Sequence, residues 1–291
     1  MSIRLQDINI RDPFILPWEG VYYMFGTRAL TCWGAADGFD GYVSRDLELW
    51  EGPFEVFHRP EGFWADKNYW APEVHAYRGR FYMFATFNSF ELERKGTMIL
   101  SADTPLGPYE LHSEGKITPD EWNCLDGTFY LSPEGVPYMV FSHEWTDVVD
   151  GAICCVRLSE DLRRPEGEPR TLFTASMGEP WVRPLHHRSR PEPIYVTDGP
   201  YMHRTASGEL IMLWSSFGVS GYAEAIARSD NGDITGNWSI DTEPLFTEDG
   251  GHGMLFTDLT GELYLVLHQP NKTPNERPVL RRLDPSRLEK H

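Results

Sequence analysis

GVYYMFGTR (Gly20–Arg28), GRFYMFATF (Gly79–Phe87), GVPYMVFSHEW (Gly135–Trp145), GELIMLWSSF (Gly208–Phe217) and GELYLVLHQ (Gly261–Gln269) are five variants of one segment. Each opens on a glycine, which supplies the positive φ of a tight hairpin turn. Each then runs through aromatic and branched residues that suit a pleated strand. A shorter polar-then-apolar strand precedes each glycine. Further strand-like runs begin at Gly41, Gly96, Gly151 and Gly221 and end in Asp/Ser/Gly turns. Units of three to four strands recurring roughly every 50–70 residues describe a β-propeller. A sandwich does not need the same internal order five times, and β-helix repeats are much shorter. Amphipathic helix windows are missing, and 22 prolines oppose long helices. The pattern predicts an all-β, five-bladed β-propeller over residues 1–291 as a single domain. The segment before Gly20 should supply a first-blade strand, with blade closure near the termini.

Composition narrows the partners. The 291 residues carry a formal net charge of -18, which repels phosphate backbones and argues against nucleic acid. Aromatic residues make up 13%, enough for many packed strands or for a surface that stacks on sugar rings. Cys32, Cys124, Cys154 and Cys155 show no CxxC or disulfide-dense spacing, so free thiols are expected. No apolar run approaches the ~20 residues of a membrane span, so no membrane partner is expected. MSIRLQDINIRDPF lacks the apolar core of a secretory leader, giving a cytoplasmic expectation unless a leader has been removed. The N-x-[ST] matches at Asn237 and Asn271 are read as chance.

The strands before the glycine turns should lie nearest the propeller axis. They open with RDPF (Arg11–Phe14), APEV (Ala71–Val74), LDGTF (Leu125–Phe129), TDGPY (Thr197–Tyr201) and GHGM (Gly251–Met254). If these strands are parallel around the axis, Asp12, Glu73, Asp126, Asp198 and His252 gather at one mouth of the channel. An isolated Asp before Pro or Gly is ordinarily a turn former. Recurrence at the head of successive repeats favours a shared site instead. Carboxylates that converge on one cavity repel, which raises some pKa values and lets one acid stay protonated. Glycoside cleavage uses that arrangement: a carboxylic acid protonates the leaving oxygen while a carboxylate works from the other face. Trp33, Trp64 and Trp70 are candidates to stack on sugar rings.

On these motifs the chain resembles glycoside hydrolase family 43, from RDPF at the start to ERP near the end. The resemblance implies an inverting glycosidase with three acids: Asp12 as base, Asp126 orienting and tuning the acid, and the acid at position 198. The family pattern usually has Glu before Gly-Pro, whereas this chain has Asp198. The shorter side chain retracts the carboxyl by about 1.5 Å, and a displacement near 1 Å can cost ~100-fold in rate. Compensation by the pocket is expected, with Glu192 or Glu224 as fallback acids. The resemblance further implies Trp70, Glu73, His143 and Glu144 at the sugar pocket and Arg277 reaching back to it. His252 would neighbour a structural calcium on the axis. SHEW is not a zinc motif, because HExxH needs His where Asp147 stands.

The expected substrate is an oligosaccharide or polysaccharide fragment with arabinofuranosyl, xylosyl or related residues, attacked from its end. Inversion requires carboxyl groups roughly 6.5–9.5 Å apart. The competing readings are a non-catalytic carbohydrate-binding propeller, a retaining fructan hydrolase and a glycoside phosphorylase. The last would need a phosphate site. Arg183, His186, His187, Arg188 and Arg190 form the one basic cluster, read here as a solvated loop.

Overall fold

The computed structural model describes residues 2–290 as five antiparallel sheets. The first sheet holds β1 (Ser2–Arg4), β2 (Ile10–Trp18), β3 (Val21–Arg28), β4 (Gly38–Ser44) and β5 (Leu49–His58). The second holds β6 (Lys67–Tyr77), β7 (Arg80–Asn88), β8 (Gly96–Ala102) and β9 (Glu110–Leu111). The third is β10 (Cys124–Leu131), β11 (Pro137–His143), β12 (Ala152–Arg157) and β13 (Arg170–Thr174). The fourth is β14 (Asp198–Arg204), β15 (Leu210–Gly218), β16 (Gly221–Ser229) and β17 (Trp238–Ile240). The fifth has three strands, β18 (Gly251–Thr257), β19 (Leu263–Gln269) and β20 (Arg277–Arg282). One four-residue helix, α1 (Trp145–Val148), is the only α-helix among the described residues.

The innermost strands β2, β6, β10, β14 and β18 touch in a closed circuit, which makes the five sheets blades of a propeller. The repeat read from sequence is therefore structural. Its glycines Gly20, Gly79, Gly135, Gly208 and Gly261 all adopt positive φ, between 78° and 93°. The strands that follow them are second in their blades and are covered on both faces by neighbouring blades. That is why β7 and β15 read as near-continuous apolar runs instead of alternating ones. Cys154 and Cys155 point into different apolar clusters, and all four cysteines are buried and free.

Closure does not use an exchanged strand. β1 adds to β5 at the outer edge of the first blade, leaving the last blade with three strands. Polar contacts join the two ends of the chain. The Asn9 amide donates to the carbonyls of Pro274 and Glu276, both at 2.9 Å. Arg11 pairs with the fully buried Glu276 at 2.7 Å, and the Leu259 N–H donates to the Tyr22 hydroxyl at 2.9 Å.

Candidate active site

Each innermost strand begins with a bulge whose central residue has positive φ: Asp12, Ala71, Asp126, Gly199 and His252. A bulge re-aims a side chain out of the ladder, here towards the axis. Asp, Gly and His tolerate the left-handed region better than bulky residues do. The bulges are clasped between blades. The Ala71 N–H donates to the Thr27 hydroxyl (2.7 Å), that of Asp126 to Thr86 (2.8 Å) and that of His252 to Ser215 (2.7 Å). His268 Nδ1 accepts from the Asp12 N–H (3.2 Å), completing the ring from last blade to first. The fourth bulge differs: the Gly199 N–H donates to the Asp126 carboxylate at 3.1 Å.

This register corrects the sequence alignment of the repeats. Asp12, Asp126 and His252 are equivalent, but Asp198 sits one residue before its bulge and Glu73 two residues after. Their partners across the ladder show it: Asp198 faces Ser215 as Arg11 faces Thr27, and Glu73 faces Phe84 as Phe14 faces Phe25. Two residues past the bulge, Glu73 is back in the strand ladder and does not line the pocket. It accepts from Thr128 (2.6 Å) and contacts His75 (3.1 Å) inside the channel. Asp198 still lines the pocket.

Asp12, Asp126, Asp198 and His252 line one cavity of about 640 Å³. His252 Nδ1 lies 3.3 Å from Asp12 and 3.7 Å from Asp126. Thr27 donates to Asp12 at 2.6 Å, and Tyr222 donates its hydroxyl proton to Asp198 at 3.0 Å. The carboxyls differ in ionisation. Burial opposes charge on Asp12, but the neighbouring His252, His268 and Arg11 outweigh it, holding Asp12 well below the ordinary carboxylate range. His252 is itself pushed towards its neutral form by burial, so the permanent cation beside Asp12 is Arg11. Asp198 is pushed up to about 7, by burial first and then, against the Tyr222 hydrogen bond, by the charges of Glu144 and Asp12. Burial and repulsion from Asp198 and Asp12 raise Asp126 as well. The cavity thus holds one carboxylate and a carboxyl pair that retains a proton near neutrality.

Trp70 and Glu144 line the pocket as expected, with Trp33 and Trp145 adding aromatic wall. Lys95 pairs with Glu144 and lies 5.4 Å from the Trp70 ring. Three expectations fail. His143 is packed flat under Trp122, with ring centroids 4.0 Å apart, and bonds Asp147 outside the cavity. Its neighbour Glu144 faces the opposite way because side chains alternate at the strand end. Arg277 turns back onto the carbonyls of Pro274 and Glu276; Arg11, buttressed by Glu276, is the guanidinium at the pocket. Trp64 packs on Phe63 and Met98 away from it. The fallback acids are also elsewhere: Glu192 is a half-buried partner of Arg190, and Glu224 is fully buried beneath Ser215 and Gly253.

Calcium takes six to eight oxygen ligands. Among the described residues no group of three or more His, Cys, Asp and Glu is placed to hold a metal ion. His252 serves the carboxylates of Asp12 and Asp126.

Arg11 was adjacent to a motif and recoverable from RDPF. Tyr222 carried no signal, since it reaches Asp198 only through the pairing of β15 with β16.

Comparison with known proteins agrees with this fold. The model of glycosyl hydrolases family 43 matches residues 7–285. A solved endo-arabinase from Bacteroides thetaiotaomicron VPI-5482 superposes with a TM-score of 0.89 at 38% identity, covering 97% of this chain and 96% of that one. An exo-1,5-alpha-L-arabinanase from a bovine ruminal metagenomic library shares the fold at TM-score 0.65 and 19% identity, over 95% and 93% of the two chains. Among curated proteins, extracellular endo-alpha-(1->5)-L-arabinanase 1 of Bacillus subtilis (strain 168) is 21% identical over 168 residues. That match takes in 54% of this chain and about half, 49%, of the relative's length. With the family's model matched over nearly its whole length and a carboxylate-lined cavity at its axis, the chain belongs to glycosyl hydrolases family 43 and is a five-bladed propeller glycosidase acting on carbohydrate.

Proposed function

We propose that the chain hydrolyses arabinofuranosyl chains with inversion at the anomeric carbon, cutting within the chain. The observation that carries the chemistry is the opposite ionisation of Asp12 and Asp198 in one cavity. In this reading Asp198 gives its proton to the glycosidic oxygen while Asp12 takes one from a water on the other face of the ring. The new carbon–oxygen bond forms as the old one breaks, leaving Asp198 charged, Asp12 neutral and the product inverted. Exchange with solvent water returns both protons. In this reading Asp126 passes no proton to the substrate; it accepts the Gly199 N–H beside Asp198 and shares with Asp198 the proton that the pair retains.

Asp198 is shorter than the usual family glutamate. Tyr222 fixes the orientation of this shorter side chain, binding Asp198 Oδ2 and leaving Oδ1 to carry the transferable proton. The shifted pKa of Asp198 favours a working enzyme over a propeller that only binds sugar. Trp33, Trp70 and Trp145 offer faces for furanose rings.

Arabinan as substrate is supported by the 38% identical endo-arabinase, aligned over nearly all of both chains. The same likeness favours internal cleavage over the terminal attack expected from sequence. Digestion of linear arabinan, followed by viscometry and product sizing, tests this reading. Rapid loss of viscosity with oligosaccharide products is expected, and NMR of the first product should show the inverted anomer. Release of arabinose alone would return the enzyme to exo action. Cleavage of xylosides with none of arabinan would sink the substrate assignment.

A further inference from the structure

Residues 181–190, WVRPLHHRSR, hold three arginines and two histidines with no acid, in a chain of net charge -18. Sequence reading makes this a solvated loop. The structure places it at the mouth of the cavity, where Leu185, His186 and His187 form part of the wall. The loop is anchored there. Leu185 and Ile194 exchange backbone hydrogen bonds of 2.8 and 2.9 Å, and the Arg183 N–H donates to the Phe217 carbonyl at 2.8 Å. Arg190 donates to the Thr146 carbonyl, and the His187 ring lies 4.9 Å from that of Trp145. Arg190 is offset by Glu192 at 3.3 Å. Arg183 and Arg188 are exposed and pair with no carboxylate among the described residues.

Arg183 and Arg188 flank the wall residues Leu185, His186 and His187 in sequence, so two guanidinium groups without a carboxylate partner sit on the loop that borders the cavity, a local positive field in an acidic protein. A guanidinium fork matches a carboxylate through two parallel hydrogen bonds. The loop runs on through Ile194 and Val196, which line the same cavity as Asp198. We propose that this rim is a subsite for a carboxylate-bearing sugar, a hexuronate, on the glycan held at the cavity. The proposal deepens the arabinan reading and rests on it only for the identity of the sugar that is cleaved.

Titration calorimetry with a galacturonate trisaccharide and a neutral arabinotriose, on the full chain, reads the subsite without turnover. The Arg183→Gln/Arg188→Gln double variant should bind the uronate about three- to tenfold more weakly, with a smaller change for the neutral sugar. High salt should weaken uronate binding to the unaltered protein in the same direction. Equal uronate affinity in both proteins, or no salt effect, overturns the proposal. Inorganic phosphate is the second arm: tighter binding than the uronate, with phosphate-dependent turnover, would make the rim a phosphate site and overturn it too. Intact uronate binding in a protein that leaves arabinan uncut would sink the proposed function and spare the subsite.

Discussion

Replacing Tyr222 by Phe removes the one side-chain hydroxyl that holds Asp198, at 3.0 Å, and leaves the ring that stacks on His268 in place. A hydrogen bond to an ionised group contributes about 1.5–3 kcal/mol. That energy favours the charged form of Asp198, so its loss raises the pKa by about 1–2 units at 1.36 kcal/mol each. Asp198, pushed up to about 7 in the unaltered protein, should then titrate near ~8–9. The acid must be protonated to work, so activity is present below this pKa and lost as pH rises through it. The alkaline limb of kcat/KM therefore moves upward in the variant. Because Asp126 and Asp198 repel across the cavity, the limb belongs to the pair. On an arabino-oligosaccharide the ratio of variant to unaltered activity should grow roughly five- to tenfold between pH 6 and pH 8. The absolute rate at low pH should fall, because the carboxyl loses its fixed orientation. A nitrophenyl substrate, whose leaving group needs little protonation, should be far less sensitive. A limb that stays still or moves down would refute the assignment of Asp198 as the acid held by Tyr222.

Asp12→Asn keeps a residue that tolerates φ of 52° but removes the base, so turnover should drop about 10²–10⁴-fold while circular dichroism still reports the folded protein; near-normal activity would move the base elsewhere. Glu224 is buried, with its pKa raised to about 8 by burial against hydrogen bonds from Ser215 and Gly253. A carboxyl raised in the folded state supports stability fully below its unfolded pKa and loses that support as pH rises towards the folded one. The stability of Glu224→Gln relative to the unaltered protein should therefore grow by roughly 2–3 kcal/mol from pH 5 to pH 7 in urea denaturation; a difference independent of pH would show that Glu224 is ionised in the fold. Glu276→Ala strands the Arg11 guanidinium between first and last blades and should cost about 3–5 kcal/mol. Urea midpoints measure that loss, and an unchanged midpoint would mean that the pair does not help close the ring.

The blades were legible because they are built from local signals. A glycine that must take positive φ, followed by an aromatic run long enough for one strand, marks a hairpin wherever it occurs, and five such marks set the architecture. Asp12, Asp126 and Asp198 were found as heads of repeats, whereas Trp70 and Glu144 came from the family resemblance. The misplacements of Glu73, His143 and Arg277 share a cause. Each depends on which side of a strand or bulge the residue leaves, and a register shift of one or two positions changes the answer.

Sequence alone determined the five-fold repeat, the all-β character and the carboxyl groups available, since turn chemistry and strand composition act over a few neighbouring residues. Tertiary structure decided which groups meet: Tyr222 with Asp198, Arg11 with Glu276, His252 between two aspartates, and the basic loop at the mouth. Those meetings arise only when five bulged strands close around an axis, a contact between distant stretches that no local preference encodes.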